Sequence, residues 1–130
     1  MYYDSYVALY LRLSLEDADK GSANDESNSI HSQKILLTHF VESNPELQKY
    51  GVKTYIDDGY SGTNFDRPEF KRMLDDARKG KINCIIVKDL SRLGRNYVEM
   101  GDFLEKLCPL LDIRFISIND RYDTEALDSN

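Results

Sequence analysis

The sequence is poor in the residues that form metal centres and disulfide frameworks. Its 130 residues include only two cysteines, two histidines and no tryptophan. Cys84 and Cys108 match neither the usual metal-ligand spacings nor a disulfide scaffold, so we expect both to be core thiols. His31 and His39 are eight residues apart on a predicted helix, which is not the i, i+4 spacing of a helical metal pair, and neither is well placed as a general base.

Long apolar runs and an excess of positive charge are missing as well. No apolar stretch approaches the roughly 20 residues that cross a bilayer, and the N-terminal residues do not form a signal peptide. We therefore expect a cytoplasmic protein without a membrane partner. The formal net charge of −6 argues against strong nucleic-acid binding by this domain alone, because non-specific affinity comes largely from lysine and arginine. Weak binding is still compatible with DNA chemistry.

What the sequence does contain is enough apolar material for one folded domain, since 41% of its residues are hydrophobic and 31% are charged. Predicted strands cover residues 6–13, 52–56, 82–87 and 113–118, and predicted helices cover residues 30–42, 68–79 and 97–107. Pro109 is expected to end the third helix. The alternation predicts an α/β domain with a central, mainly parallel four- to five-stranded sheet flanked by helices. Residues 120–130 are polar and lack helical periodicity, so we expect the natural protein to be longer.

Polar side chains follow the predicted strands at one edge of this sheet. Arg12 and Ser14 are two residues apart in extended chain, so both project to the same side at the carboxyl end of the first strand. Arg92 and Arg95 follow the third strand at helical spacing, close to Lys88. Parallel sheets bind ligands beyond the carboxyl ends of their strands, and two planar guanidiniums aimed at one point suit a phosphate.

Two further polar residues, Gln33 and Arg67, stand at predicted helix starts near the same edge. Gln33 is able to reach the strand ends, although an isolated glutamine is exposed by default. Arg67 lies at a loop-to-helix junction, where a surface ion pair with Asp66 or Glu69 is the alternative to a functional role.

A serine hydroxyl with several arginines favours nucleophilic attack on a phosphorus centre, because arginine donors stabilise the charge that develops on phosphoryl oxygens. Serine is a weak nucleophile unless it is activated, and the sequence does not show which group takes its proton. Two alternatives stay open. One is a metal-dependent nuclease with magnesium on Asp57, Asp58 and Asp66. The other is a non-catalytic α/β module that binds an anion or a partner.

Four segments of the chain carry a shared pattern. They are residues 10–14, 29–33, 60–68 and 89–96, which read YLRLS, SIHSQ, YSGTNFDRP and DLSRLGRN. In combination they resemble the catalytic domain of the serine recombinases, the resolvase and invertase family. The likeness is greatest to the large transposon- or phage-encoded branch, and the segments occur in the family's order.

The resemblance implies that Ser14 attacks the scissile DNA phosphate, leaving a 5′-phosphoserine link and a free 3′-hydroxyl. Gln33 then supports the residues that hold the phosphate and stabilise its transition state, which are Arg12, Arg67, Arg92 and Arg95. Lys88 is a further candidate for phosphate binding. The family's reaction needs no metal or nucleotide cofactor, because the phosphodiester energy is kept in the covalent link.

The resemblance also implies partners: DNA recombination sites and other copies of the same protein, as a dimer and a synaptic tetramer. In the family, both duplexes are cut with two-base staggers and one subunit pair rotates, which excises or integrates a mobile element. Smaller members carry an acid where this chain has Ser91. The family's long dimerisation helix and DNA-binding domains have no counterpart in residues 1–130. We therefore expect this part alone to be monomeric or weakly associated, with weak or no recombination activity.

Overall fold

The structure is a computed structural model and describes residues 5–13, 29–58, 67–93 and 97–125. Its strands are β1 (Tyr6–Leu13), β2 (Gly51–Asp58), β3 (Ile82–Val87), β4 (Arg114–Ser117) and β5 (Tyr122–Asp123). Its helices are α1 (Ile30–Glu42), α2 (Pro68–Arg78), α3 (Tyr97–Asp102) and α4 (Cys108–Leu110). In the described part of the chain, no helix combines the length and the apolar character that a bilayer span requires.

The five strands form one sheet in the order β2-β1-β3-β4-β5. The first four strands pair in parallel, and β5 is antiparallel to β4. The central strand β1 is buried along nearly its whole length, which explains its near-continuous apolar sequence. The predicted α/β fold with a mainly parallel sheet is confirmed, and the carboxyl ends of β1, β2, β3 and β4 share one edge.

The fifth strand falls in the polar segment after residue 119, for which the sequence predicted no strand. It consists only of Tyr122 and Asp123, which pair with Ser117 and Ile116 of β4. Two residues are too few to show the alternating pattern of a strand, so the pairing partner decides this element rather than the local sequence.

Helix α2 and the helical turn that follows α3 pack on one face of the sheet through a row of aromatic rings. The rings of Tyr10 and Phe70 have centroids 5.3 Å apart, and Phe70 and Phe103 are 5.6 Å apart. Phe115 of β4 continues the row, with its ring 5.8 Å from that of Phe103. These contacts hold the start of α2 against β1, which places the residue before α2 close to the carboxyl edge.

Helix α1 covers the opposite face. Ser29 caps its amino end by accepting a hydrogen bond from the main-chain N–H of Ser32 at 3.0 Å. The residues that α1 buries are Gln33, Leu37 and Val41. A polar residue thus occupies the first turn of an otherwise apolar stripe, at the end of the helix that lies nearest the strand ends.

The prediction that Pro109 ends the third helix was wrong. A π-helical turn at Phe103–Leu107 follows α3, and the N–H of Cys108 donates to the carbonyl oxygen of Phe103, five residues earlier. This wider turn shifts the hydrogen-bond register, so that Pro109 stands in the first turn of α4, where a missing N–H is tolerated. The helical path ends only at Leu110.

The two cysteines are core thiols, as predicted. Cys84 is 2% exposed and Cys108 is 1% exposed. Burial raises the pKa of both thiols to about 12, so both are protonated near neutral pH.

Candidate active site

Four cationic side chains lie buried at the carboxyl edge of the sheet. Their exposed fractions are 0% for Arg12, 1% for Arg67, 9% for Lys88 and 4% for Arg92. Arg12 belongs to β1, Arg67 precedes α2, and Lys88 follows β3, while Arg92 ends a short 3-10 turn that spans Leu90–Arg92. The sequence predicted this edge as the meeting point, and the described residues do meet there.

Arg12 joins the end of β1 to the 3-10 turn. Its Nε donates to the carbonyl oxygen of Arg92 at 3.1 Å, and its Nη2 donates to the carbonyl oxygen of Ser91 at 2.6 Å. In the opposite direction, Nη1 of Arg92 donates to the carbonyl oxygen of Arg12 at 3.0 Å. The two guanidiniums therefore fix each other's backbone.

Gln33 holds the same strand end from the other side. Its Nε2 donates to the carbonyl oxygen of Arg12 at 3.1 Å, and its Oε1 accepts from the main-chain N–H of Arg12 at 3.4 Å. The default expectation of an exposed glutamine was wrong, because Gln33 is completely buried. The pairing of β1 with β3 ends at Leu9, and the side-chain amide of Gln33 satisfies the main-chain donor and acceptor of Arg12.

Arg67 reaches the same turn from α2. Its Nη1 lies 3.5 Å from the carbonyl oxygen of Arg92, and its Nη2 donates to the carbonyl oxygen of Leu93. Its guanidinium carbon lies 5.0 Å from the ring centroid of Phe70 and 5.6 Å from that of Tyr10. Burial lowers the pKa of Arg67, while the nearby negative groups oppose that shift.

The surface ion pair considered for Arg67 is contradicted for Glu69. That carboxylate instead accepts from Arg72 on the outer face of α2, with its Oε1 2.7 Å from Nη2 of Arg72. Arg67 turns inward because its backbone is extended just before the helix, with φ −116° and ψ 133°. The other candidate partner, Asp66, lies outside the described residues.

Sequence reasoning missed the structural role of Asp57 and did not single out Tyr10. The carboxylate of Asp57 accepts from the main-chain N–H groups of Glu69 and Phe70, at 3.0 Å each, and from the hydroxyl of Tyr10 at 2.9 Å. Asp57 is therefore a cap of α2 whose two oxygens are engaged by protein donors. One signal pointed to Tyr10: it is a hydroxyl-bearing residue in an apolar strand, two positions before Arg12 and on the same side.

The 3-10 turn is also tied to the connection after β4. Asp120 accepts from the main-chain N–H of Leu90 and from the hydroxyl of Ser117, both at 2.7 Å. The hydroxyl of Ser91 donates to Asp89, whose carboxylate lies 3.5 Å from Nε of Arg92. Asp89 thus places a carboxylate beside Ser91, at the start of the 3-10 turn.

Some predicted site residues cannot be placed by the structure. Ser14 and Arg95 lie outside the described residues, as does Asp66, and the side chain of Asp58 is not described either. Ser14 follows directly after Leu13, the last residue of β1.

Comparison with protein families identifies the family of this domain. Residues 7–129 match the family model described as "Resolvase, N terminal domain". This chain belongs to the resolvase family. The resolvase domain accounts for nearly the whole sequence, and it includes every residue of the site described above.

Individual relatives of this resolvase-family chain agree with the assignment. A protein of Bacillus subtilis (strain 168) named as a DNA recombinase is 35% identical over 123 residues, which cover 89% of this chain and 21% of that protein. The Transposon Tn917 resolvase of Enterococcus faecalis is 28% identical over 83 residues, covering 62% of this chain and 42% of that protein. The chain therefore spans less than half the length of each of these relatives.

A solved structure agrees as well. The N-terminal catalytic domain of TP901-1 integrase is 29% identical and superposes with a TM-score of 0.74, covering 93% of this chain and 82% of that one. The fold and the family thus rest on independent comparisons of sequence and shape.

The buried arginines of this resolvase-family domain are held mainly by main-chain carbonyls. A buried charge is costly unless an opposite charge or several hydrogen bonds compensate it, and main-chain carbonyls supply dipoles rather than full charges. Arg12, Arg67 and Arg92 all donate to such carbonyls, and Arg92 also has the carboxylate of Asp89 3.5 Å from its Nε. A phosphate placed against their edges would gain Coulomb energy from groups that are already oriented, without reorganisation of the protein.

Proposed function

We propose that this chain is the catalytic domain of a site-specific recombinase that cuts and rejoins DNA, with Ser14 as the nucleophile. The oxygen of Ser14 forms a bond to the scissile phosphorus, and the bond from phosphorus to the 3′-oxygen breaks. Ser14 gives up its hydroxyl proton as it attacks, and the departing 3′-oxygen takes up a proton, so the products are a 5′-phosphoserine link and a free 3′-hydroxyl. Attack by a 3′-hydroxyl on the phosphoserine reverses these steps and rejoins the strand.

One observation carries the proposal: the guanidiniums of Arg12 and Arg67 both reach the carbonyl oxygen of Arg92. Arg12 and Arg67 approach it with donor distances of 3.1 Å and 3.5 Å, and Arg92 itself bonds back to β1. This mutual bracing fixes three cations at the strand end that leads into Ser14. Fixed donors stabilise the extra negative charge of a five-coordinate phosphorus transition state better than mobile ones, because they need no reorientation as the charge develops.

The remaining candidates take supporting roles. Arg95, three residues after Arg92, is proposed as a further phosphate ligand, and Lys88 as a source of positive charge at the same edge. Gln33 keeps the end of β1 in place through its two bonds to Arg12. The reaction needs no cofactor, because the covalent link conserves the phosphodiester energy.

In the full-length protein we propose a dimer that pairs into a synaptic tetramer on DNA, in the excision or integration of a mobile element. The names of the relatives support this context, since one is a transposon resolvase and another is an integrase. The 130-residue chain alone is expected to be monomeric or weakly associated and to recombine poorly. Its net charge of −6 predicts weak, salt-sensitive DNA binding.

The decisive experiment substitutes Ser14→Ala in the full-length protein. We expect DNA binding to persist, while cleavage and the covalent protein–DNA adduct disappear, as seen in denaturing gels of end-labelled DNA. Ser43→Ala is the matched control, because Ser43 is an exposed serine after α1, and it should cleave normally. Peptide mapping of the wild-type adduct should identify Ser14.

Other outcomes would support the alternatives. A covalent adduct that persists in Ser14→Ala would contradict the assignment of the nucleophile. Cleavage that survives Ser14→Ala and stops in a chelator would indicate a metal-dependent nuclease. A protein that binds DNA without cutting it, and loses binding on Arg92→Ala alone, would be a non-catalytic module.

A further inference from the structure

Tyr10 and Asp57 form a buried pair to which the proposed reaction assigns no role. We propose that the Tyr10–Asp57 pair is a positioning device for Arg67, holding its guanidinium at the angle needed to meet the scissile phosphate beside Arg12 and Arg92. The effect on cleavage rests on the proposed function. The orientation of Arg67 by this pair rests only on the contacts described below.

The first contact fixes the backbone of Arg67. Asp57, at the end of β2, accepts from the main-chain N–H groups of Glu69 and Phe70, each at 3.0 Å. Those groups belong to the first turn of α2, immediately after Arg67. A carboxylate at a helix amino end also interacts favourably with the helix dipole. The end of β2 therefore sets the point from which the Arg67 side chain starts.

The second contact fixes the direction of the side chain. The hydroxyl of Tyr10 donates to the same carboxylate at 2.9 Å, which locks the phenol ring of a β1 residue against α2. The guanidinium of Arg67 then lies between that ring, at 5.6 Å, and the ring of Phe70, at 5.0 Å. The two rings leave its plane little freedom to tilt.

Burial makes this arrangement rigid. Tyr10, Asp57 and Arg67 are 0%, 2% and 1% exposed. Solvent cannot readily replace a hydrogen bond lost within the group, and a buried carboxylate that loses a donor must find another one by moving. Such a movement shifts the start of α2, and with it the contact of Arg67 with the carbonyl oxygen of Leu93.

The chain offers a matched control on the same face of the sheet. Tyr55 is directly paired with Tyr10 across β1 and β2, and its hydroxyl donates to Asp76 at 2.6 Å. Arg72 lies over its ring, 4.4 Å from the centroid. The chemistry is the same, but Arg72 points toward solvent, with 52% of its side chain exposed, and forms an ion pair with Glu69.

The test compares Tyr10→Phe with Tyr55→Phe in the full-length protein. Each variant removes one hydroxyl and keeps the ring. We expect Tyr10→Phe to slow formation of the covalent DNA adduct about tenfold, because one hydrogen-bonding group is then misplaced. DNA affinity should stay unchanged within about twofold. Tyr55→Phe should cleave at the wild-type rate. A wild-type cleavage rate in Tyr10→Phe would overturn the proposal.

A double-mutant cycle separates positioning from general weakening. If Tyr10 acts through Arg67, then Tyr10→Phe should slow cleavage less than about twofold in an Arg67→Lys background. A full additional tenfold loss would show that Tyr10 acts independently of Arg67 and would contradict the inference. Asp57→Asn provides a second variant in the same cycle and should show the same coupling.

A third readout does not depend on cleavage at all. In protein labelled with ¹⁵N-arginine, the Nε–H resonance of Arg67, assigned through Arg67→Lys, should move in Tyr10→Phe and stay in place in Tyr55→Phe. An unmoved resonance in Tyr10→Phe would reject the positioning role. If the wild-type protein formed no DNA adduct, the proposed function would fail while this measurement still decided the inference.

Discussion

The part of the chain that the structure describes contains two clusters of the same three residue types, and they differ in what surrounds them. The inner cluster comprises Tyr10, Asp57 and Arg67, and the outer cluster comprises Tyr55, Asp76 and Arg72. In each, the tyrosine hydroxyl donates to the aspartate and the guanidinium lies over the tyrosine ring. The guanidinium of the inner cluster is buried, whereas that of the outer cluster is half-exposed.

Burial and the neighbouring partners decide what each arginine is able to do. Arg72 has a carboxylate partner in Glu69, and this hydrogen bond raises the pKa of Arg72. Burial instead lowers the pKa of Arg67, whose Nη atoms donate to main-chain carbonyls. Arg72 is therefore a solvent-facing member of an ion pair, while Arg67 is a buried cation held by main-chain carbonyls. Three pairs of substitutions test how far this difference extends.

The largest effect is expected when the two arginines are compared. Arg67→Lys keeps the charge but loses the fork that reaches the carbonyl oxygens of Arg92 and Leu93, so cleavage by the full-length protein should fall by about 10²–10³-fold. Arg72→Lys should leave cleavage unchanged, because an exposed pair contributes roughly 0–1 kcal/mol. Single-turnover adduct formation measures both. Equal losses in the two variants would remove the distinction between the clusters.

A smaller effect is expected on stability when the two aspartates are compared. Asp57→Asn replaces a carboxylate that accepts three hydrogen bonds by a group with one acceptor oxygen, at a buried helix start. The free energy of unfolding should fall by about 2 kcal/mol. Asp76→Asn keeps an acceptor for Tyr55 at a partly exposed site and should change stability by less than about 0.5 kcal/mol. Urea denaturation of the 130-residue chain measures both values, and a larger loss in Asp76→Asn would reverse the comparison.

The smallest effect is expected from pH, and here the clusters should behave alike. Burial raises the pKa of both tyrosines above the ordinary value of 10.0. In the unfolded chain each hydroxyl ionises near pH 10, so the unfolded state loses protons that the folded state keeps. The stabilisation is therefore complete below pH 10 and is lost as the pH rises further, by about 1.4 kcal/mol per tyrosine at pH 11.

The free energy of unfolding should therefore fall less between pH 8 and pH 11 in Tyr10→Phe and in Tyr55→Phe than in the wild type, by the contribution of one tyrosine. Urea denaturation at pH 8 and pH 11 measures it. If the two variants lose stability similarly at high pH but differ in cleavage rate, the two tyrosines have similarly raised pKa values and the clusters differ only in function. An alkaline loss that neither variant reduces would show that the two hydroxyls keep their ordinary pKa in the folded chain.

Much of the architecture could be predicted from local sequence, because hydrophobic periodicity and the residues that begin or end helices and strands are local properties. The apolar run of β1, the helix entry at Pro68 and the cations after β3 each indicated their place in an α/β fold. Since the carboxyl ends of parallel strands share an edge, those assignments also predicted that Arg12, Arg67 and Arg92 would come together. The structure confirms their proximity, while their catalytic roles, and that of Ser14, stay predictions.

Elements that depend on a distant partner could not be predicted in this way. The strand β5 exists through its pairing with β4. Gln33 is buried because the end of β1 requires a donor and an acceptor there. The helix continues past Pro109 because the π-helical turn before it changes the hydrogen-bond register. Pro109 then stands in a first turn, where its missing N–H is tolerated.

The sequence by itself determined the type of fold, the edge that carries the site and the residue types available for phosphate chemistry. Only the tertiary structure decided which tyrosine, aspartate and arginine act together, because the inner and outer clusters contain identical side chains. Their difference lies in solvent access and in the long-range contacts that bring β1, β2 and α2 to one point. A local pattern carries no information on either, so the same three residue types became a surface pair in one place and a proposed positioning device in the other.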